Sequence, residues 1–255
     1  MPAAVRIAPS FREKLWGSTG LSPWFPDPET KIGEVWFDAG GRLPLIKFLF
    51  TTDRLSVQVH PNDDYARQHE NSSGKTEMWH ILRAAPGAGV AIGFRESVSS
   101  QQFRHAAETG TIDALLNWIA VRPGDTLFIP SGTVHAIGAG LALCEIQQRS
   151  DITYRIFDYG RPRELHLDKA LEVSHLGASP PRATLPVRCP FFHTEQLLLN
   201  GEARVISPRT QALIVLSGEG LIEDEPFLPG EVWELTADSS VALRGQGRLL
   251  RTFIP

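Results

Sequence analysis

Two short segments of this 255-residue chain carry side chains suited to holding a metal ion: Leu55-Ser-Val-Gln-Val-His60-Pro61, and Gly124-Asp-Thr-Leu-Phe-Ile-Pro130-Ser-Gly132-Thr-Val-His135. Successive side chains of a strand face opposite ways, so the first segment puts Ser56, Gln58 and His60 on one face and Leu55, Val57 and Val59 on the other. Gln58 and His60 then converge on one patch of space. The second segment closes an apolar run with Pro and Gly and brings a further imidazole, His135. Between them, Gly74-Lys75-Thr76-Glu77-Met78-Trp79 places Lys75 and Glu77 on a common face if extended. Gln, His, Glu and His at strand periodicity are the ingredients of a metal site inside a small β-barrel.

The surrounding sequence reads mostly as short strands bounded by Gly, Pro, Asp and Asn. Strands are expected at 33–38, 45–50, 55–60, 77–82, 89–94, 126–129, 133–137, 141–147 and 154–157, and again at 192–199, 203–206, 212–217, 232–235 and 249–253. Helical periodicity is confined to a few places. Ser99 or Ser100 can cap a helix with Phe103, Ala106 and Ala107 on its apolar stripe. After Gly110, the residues Ile112, Leu115, Leu116 and Ile119 predict a second helix, and 167–176 predicts a third. Asp63 and Asp64 read as a solvated turn leading into a helix-like 65–70 segment rather than a second acidic metal site. A Pro-rich stretch, 179–186, divides the chain. Pro123-Gly-Asp-Thr-Leu-Phe-Ile129 is faintly echoed by Pro229-Gly-Glu-Val-Trp-Glu-Leu235, without a histidine after the second copy.

A chain of this length buries roughly 70–75% of its unfolded surface and needs no covalent staples. Its formal charge of −4 disfavours nucleic acid and anionic membranes as partners, because both require clustered positive charge. Cys144 and Cys189 make no disulfide framework, and Cys144 reads as a small core residue. No stretch approaches 18 apolar residues, and the N-terminal residues lack the apolar region of a secretory leader, so a cytoplasmic protein is expected. Oligomeric state stays open between monomer and homodimer.

Gly124-x5-Pro130-x-Gly132-x2-His135 resembles the second motif of the cupin β-barrels. In place of the usual His-x-His, this chain has Gln58-x-His60-Pro61 followed by Gly74-Lys75-x-Glu77. That combination is similar to the type I mannose-6-phosphate isomerases of the short bacterial form. The likeness continues in Ser131-Gly-Thr-Val-His-Ala-Ile-Gly138, in Glu145-Ile-Gln-Gln-Arg-Ser150-Asp151-Ile-Thr-Tyr-Arg155, and upstream in 31–36 and 44–49, covering about residues 10 to 175. Arg149 departs from the small polar residue usual before Ser-Asp.

The resemblance implies a mainly β fold: a cupin (jelly-roll) β-barrel with a small helical insertion over residues 1–178, and a degenerate cupin-like β half over 179–255. It implies one zinc ion per chain held by Gln58, His60, Glu77 and His135. It implies Arg155 as an active-site cation and Lys75 as a catalytic or binding group; beside these, Asp151, placed to orient Arg155, and Arg149 and Glu145 are read as substrate-binding residues around a sugar phosphate. The reaction would be aldose–ketose isomerisation of mannose 6-phosphate and fructose 6-phosphate through a cis-enediol. One amide, two imidazoles and one carboxylate leave a net positive zinc site, which suits Lewis-acid chemistry better than the thiolate-rich sets of structural zinc. The proton carrier is open between Lys75, a metal-bound water and Glu145. Lys75, Arg149 and Arg161 would supply the local positive charge that an acidic protein needs for a phosphate. The rival readings are a non-catalytic sugar-binding cupin and another metal-dependent cupin enzyme. Iron oxygenase sites, with two His and one carboxylate, fit the Gln-containing set less well.

Overall fold

Alternation decides which face of the site-bearing strand sees the core. In the computed structural model, which describes residues 2–178 and 183–255, Val57–Val59 is a strand. Val57 and Val59 are buried in an apolar cluster with Phe94, Phe103, Ala106 and Ile156. Gln58, between them, is half-buried and turned to the opposite face.

The chain forms two compact units, Thr51–Ala183, and Met1–Phe50 together with Thr184–Pro255. The N-terminal residues thus group with the C-terminal segment, whereas the sequence reading keeps them with the metal-bearing half. The expected boundary at 178/179 and the first part of the Pro-rich stretch adjoin or include residues 179–182, which lie outside the described residues.

Within Thr51–Ala183, one antiparallel sheet orders its strands Tyr154–Phe157, Val57–Val59, His135–Ile137, Gly89–Phe94 and Leu116–Ala120. A second layer pairs Leu141–Gln147 with Glu77–Ala84, and the latter with Thr126–Ile129. Helices Ser100–Glu108 and Leu167–Val173 pack on the outer face of the first sheet through Phe103, Ala106, Ala107 and Ala170. The first of these starts as the sequence indicates. Ser99 Oγ accepts from the Gln102 N–H while Gln102 Oε1 accepts from the Ser99 N–H, a reciprocal capping box. Helix Asp63–Glu70 is capped by Asn62, not by the acidic pair that follows it.

The expected helix over 112–119 is corrected. Residues Ile112–Ala114 form a single 3-10 turn, and Leu116–Ala120 is a strand paired with Gly89–Phe94. The run is too short for periodicity to separate helix from strand, and the neighbouring sheet edge captures it through Trp118 and Ile119.

The second unit holds an antiparallel meander of Ser10–Ser18, Ile32–Phe37 and Leu45–Phe50. It also holds a long ladder in which Ser239–Phe253 lies between His193–Ser207 and Gln211–Ile222. Val232–Leu235 and the N-terminal Ala4–Arg6 extend that sheet. Its core is Val215, Phe227, Trp233, Val241 and their neighbours. The faint repeat has a local structural basis: Gly124 and Gly230 both take positive φ, +93° and +89°, and each is followed by a four-residue strand.

The Pro-x-Gly turn before His135 shows why glycine stands in the motif. Gly132 has φ +83°, and a Cβ there would lie 2.8 Å from the His175 ring and 2.9 Å from the Val173 carbonyl. Its N–H donates to the His60 carbonyl at 2.8 Å, tying the two imidazole-bearing segments together. Gly132→Ala is therefore expected to cost at least about 1–3 kcal/mol. Urea unfolding would register it as a lowered midpoint, and an unchanged midpoint would contradict this account of the turn.

Candidate metal centre

His60, Glu77 and His135 come together from the two facing layers of Thr51–Ala183. Their ligand atoms all lie within 4.8 Å of one another, and the three could hold a metal ion. Among the described residues this is the one such group of His, Cys, Asp and Glu. Glu77 Oε2 is 3.5 Å from His60 Nε2, and Glu77 Oε1 is 3.5 Å from His135 Nε2. Tetrahedral zinc with bonds of about 2.0–2.1 Å has ligand-to-ligand separations of about 3.3–3.4 Å, so the spacing already suits that coordination.

The two imidazoles are oriented alike. His60 Nδ1 donates to the Ile152 carbonyl at 2.8 Å, and His135 Nδ1 donates to the Thr133 carbonyl at 2.9 Å. Each therefore keeps its lone pair on Nε2, the nitrogen facing Glu77, which is the arrangement metal-ligating histidines adopt. All three residues are at most 1% exposed. Burial, and after it the charge of Lys75, pushes His135 down to about 4, so its imidazole is neutral at ordinary pH. Trp79 packs edge-on against the His135 ring at 5.5 Å.

Gln58 sits beside them. On the ladder it pairs with His135 on one side and Arg155 on the other, so all three share a sheet face. Its Nε2 lies 3.3 Å from His135 Nε2, and its Oε1 accepts from Ser56 Oγ at 3.1 Å. Rotation of the amide by half a turn presents the oxygen to the cluster, an exchange that leaves the side chain's shape unchanged. The donor set thus fits a divalent ion: two imidazole nitrogens, one carboxylate and an amide oxygen.

Lys75 is buried and donates to Glu77 Oε2, with its Nζ 2.9 Å from His60 Nε2. Glu145 is buried on the same face of the second layer as Glu77, and its Oε2 accepts from Trp79 Nε1 at 3.0 Å. Arg155 is half-buried, and its Nη1 donates to the Glu164 carbonyl at 3.0 Å. Burial, followed by the charge of Arg163, lowers the pKa of Arg155, which nevertheless remains a cation.

The other predicted residues are exposed or engaged with other groups. Asp151 is exposed and lies before the strand that begins at Tyr154, so the group holding the Arg155 guanidinium is the Glu164 carbonyl. Arg149 is exposed. Arg161 is engaged with Asp158 and Asp53, whereas Lys75 faces His60 and Glu77, so the two cations serve different partners. Asp63 accepts from the Gly74 N–H and from Gln148 Nε2, an internal brace rather than a second metal site.

Sequence reasoning missed the segment that holds this centre rigid. Gln147, the ladder partner of Glu77, is fully buried and its Nε2 donates to the carbonyls of Gln148 and Ser150. Gln148 pairs with both backbone polar groups of Thr76, between Lys75 and Glu77. The same loop carries the Ile152 carbonyl that orients His60. Alternation within Leu141–Gln147 does place Gln147 on the face of Glu145 and so was the available signal.

No family model matches the chain. Its structure resembles the crystal structure of the mannose 6-phosphate isomerase from Bacillus subtilis with a TM-score of 0.89 and 27% sequence identity, covering 99% of this chain and 100% of that one. The protein is a mainly β protein of cupin fold with a candidate metal centre. The fold is shared, at a TM-score of 0.80 and 17% identity over 99% of this chain and 100% of the other, with a zinc-bound mannose 6-phosphate isomerase. In sequence the chain is 34% identical to the mannose-6-phosphate isomerase ManA of Bacillus subtilis, across 88% of this chain and 90% of that protein. It belongs to the mannose-6-phosphate isomerase family. Among the described residues no helix is long and apolar enough to cross a membrane.

Proposed function

We propose that this chain interconverts mannose 6-phosphate and fructose 6-phosphate through a cis-enediol, with one zinc ion held by Gln58, His60, Glu77 and His135. The observation that carries the reading is the buried His60–Glu77–His135 cluster, with both imidazoles presenting Nε2 to one carboxylate, in a chain of this family. A bound divalent ion supplies Lewis-acid stabilisation of the charge that develops on the two substrate oxygens.

The chain's own residues divide the remaining work. Gln58 and Arg155 are the half-buried members of the face, so the sugar approaches from their side. Arg155 holds the anionic character of the enediolate or of the phosphate, as a cation that keeps its charge at any working pH. Lys75, placed to donate to a carboxylate and an imidazole, suits a proton donor to a substrate oxygen rather than a base. Glu145 is then the carboxylate proposed to carry the proton between C2 and C1. Free cysteines, one of them buried, support a cytoplasmic setting.

The test is an isomerase assay of purified protein, as isolated and after chelation, with metal content measured on the same samples. Turnover should appear with bound zinc, vanish on chelation and return on zinc addition. A folded, zinc-loaded protein without turnover would point to a sugar-binding protein instead. Activity that survives complete metal removal would overturn the metal-assisted mechanism.

A further inference from the structure

Lys75 engages the same atoms that the proposed metal needs. Its Nζ lies 2.9 Å from His60 Nε2 and also donates to Glu77 Oε2. Because His60 Nδ1 donates to the Ile152 carbonyl at 2.8 Å, Nε2 is the lone-pair nitrogen of that ring. An imidazole nitrogen offers one lone pair in the ring plane, which serves an ammonium proton or a metal ion but not both. The crowding reinforces the exclusion, since Lys75 is 4% exposed, Glu77 0% and His60 1%. A monocation and a dication within a few ångströms repel strongly where little water intervenes.

We propose that Lys75 is an internal competitor for the metal: its ammonium satisfies His60 Nε2 and Glu77 until a divalent ion takes them, and loading turns Lys75 away from His60. This rests on the metal reading given above. The Lys75–Glu77 pair keeps the two buried charges mutually compensated, so the ligands can be held in place before metal arrives. The competition sets metal affinity below what the same ligands would reach alone. Displacement also hands a proton donor to an incoming sugar oxygen only once the Lewis acid is in place. The flexible four-carbon stem of lysine makes the move a rotamer change rather than a backbone shift.

Zinc affinity measured against a chromophoric chelator, for the wild type and Lys75→Met, tests this together with thermal unfolding of the same samples. The Met variant should bind zinc at least tenfold more tightly, melt lower than wild type in chelator, and gain more melting temperature from zinc than wild type does. Equal or weaker zinc affinity in the folded variant overturns the competition. Should the variant not fold without zinc, nitrogen-15 NMR of wild type decides: zinc must shift the Lys75 ammonium resonance and the His60 Nε2 resonance together, and a Lys75 signal unmoved by bound zinc overturns the proposal. If His60→Ala binds zinc as wild type does, the metal reading itself fails and takes this inference with it, whereas His60-dependent binding with unchanged Lys75→Met affinity removes the inference alone.

Discussion

Exchange of Glu77 for glutamine is expected to abolish detectable zinc binding and isomerase turnover and to lower the stability of the protein by about 3–5 kcal/mol. Both losses have one origin. Glu77 is fully buried, 3.5 Å from each of two imidazole nitrogens, and it carries the negative charge on which the Lys75 ammonium is held. Glutamine keeps the shape and removes the charge. The cluster then offers a dication only neutral ligands beside a buried ammonium, and the ammonium itself loses the partner that made its burial tolerable. The double variant Glu77→Gln, Lys75→Met separates the two effects. Replacing both members of a buried ion pair with neutral groups of similar size is often nearly neutral for folding, so stability should return while zinc binding stays lost. Chelator competition, metal content and urea unfolding measure the three quantities. A Glu77→Gln protein with full zinc content, or a double variant as unstable as the single, would refute the assignment of these charges.

How much of this was legible beforehand follows from what a one-dimensional pattern can encode. The faces of Gln58, Glu77 and Glu145 follow from period-two alternation, and the glycine and proline positions mark the turn before His135, so the sequence suggests a shared site, while the proposed ligand set comes from the resemblance to the family. The orientation of the imidazoles has no such signal. It depends on carbonyls of Ile152 and Thr133, and every residue has a carbonyl. The brace from Gln147 and Gln148 uses side-chain contacts to loop backbone that follow no period. Asp151, read as orienting Arg155, is exposed, and the Arg155 guanidinium donates to the Glu164 carbonyl, a loop contact that no local pattern marks. The 112–119 segment failed for a related reason. Its apolar spacing fits either helix or strand, and only the pairing edge offered by Gly89–Phe94 decides. The grouping of Met1–Phe50 with Thr184–Pro255 is a long-range outcome with no local signature at all.

Arg155→Ala should lower kcat by about 100- to 1000-fold, the loss found when a preorganised group aimed at developing charge is removed. Zinc content and melting temperature should stay near wild type. Arg155 occupies the strand position opposite Gln58, on the face that carries the cluster, yet it ligates nothing in it. Among the described residues its guanidinium has no ion-pair partner: Nη1 donates to a carbonyl, and Nε is buried without a hydrogen bond. Desolvation works against this half-buried cation, and the charges of Asp158 and Glu164, neither of them in a direct ion pair with it, offset that loss only in part. The cation is well explained by an anionic oxygen that arrives with the substrate. The split between kinetic constants tells which oxygen that is. If Arg155 holds the phosphate in the ground state, KM rises with kcat little changed. If it meets charge that appears only in the enediolate, kcat falls and KM stays. The second outcome is expected on the proposed reading, since Gln58 pairs with Arg155 on one side and with His135 on the other, so that Arg155 shares a sheet face with the metal cluster. Arg155→Lys should recover part of the rate by restoring charge without the planar fork. An alanine variant with wild-type kcat and KM would remove Arg155 from the reaction, and one that loses its zinc would make it a structural support of the cluster instead.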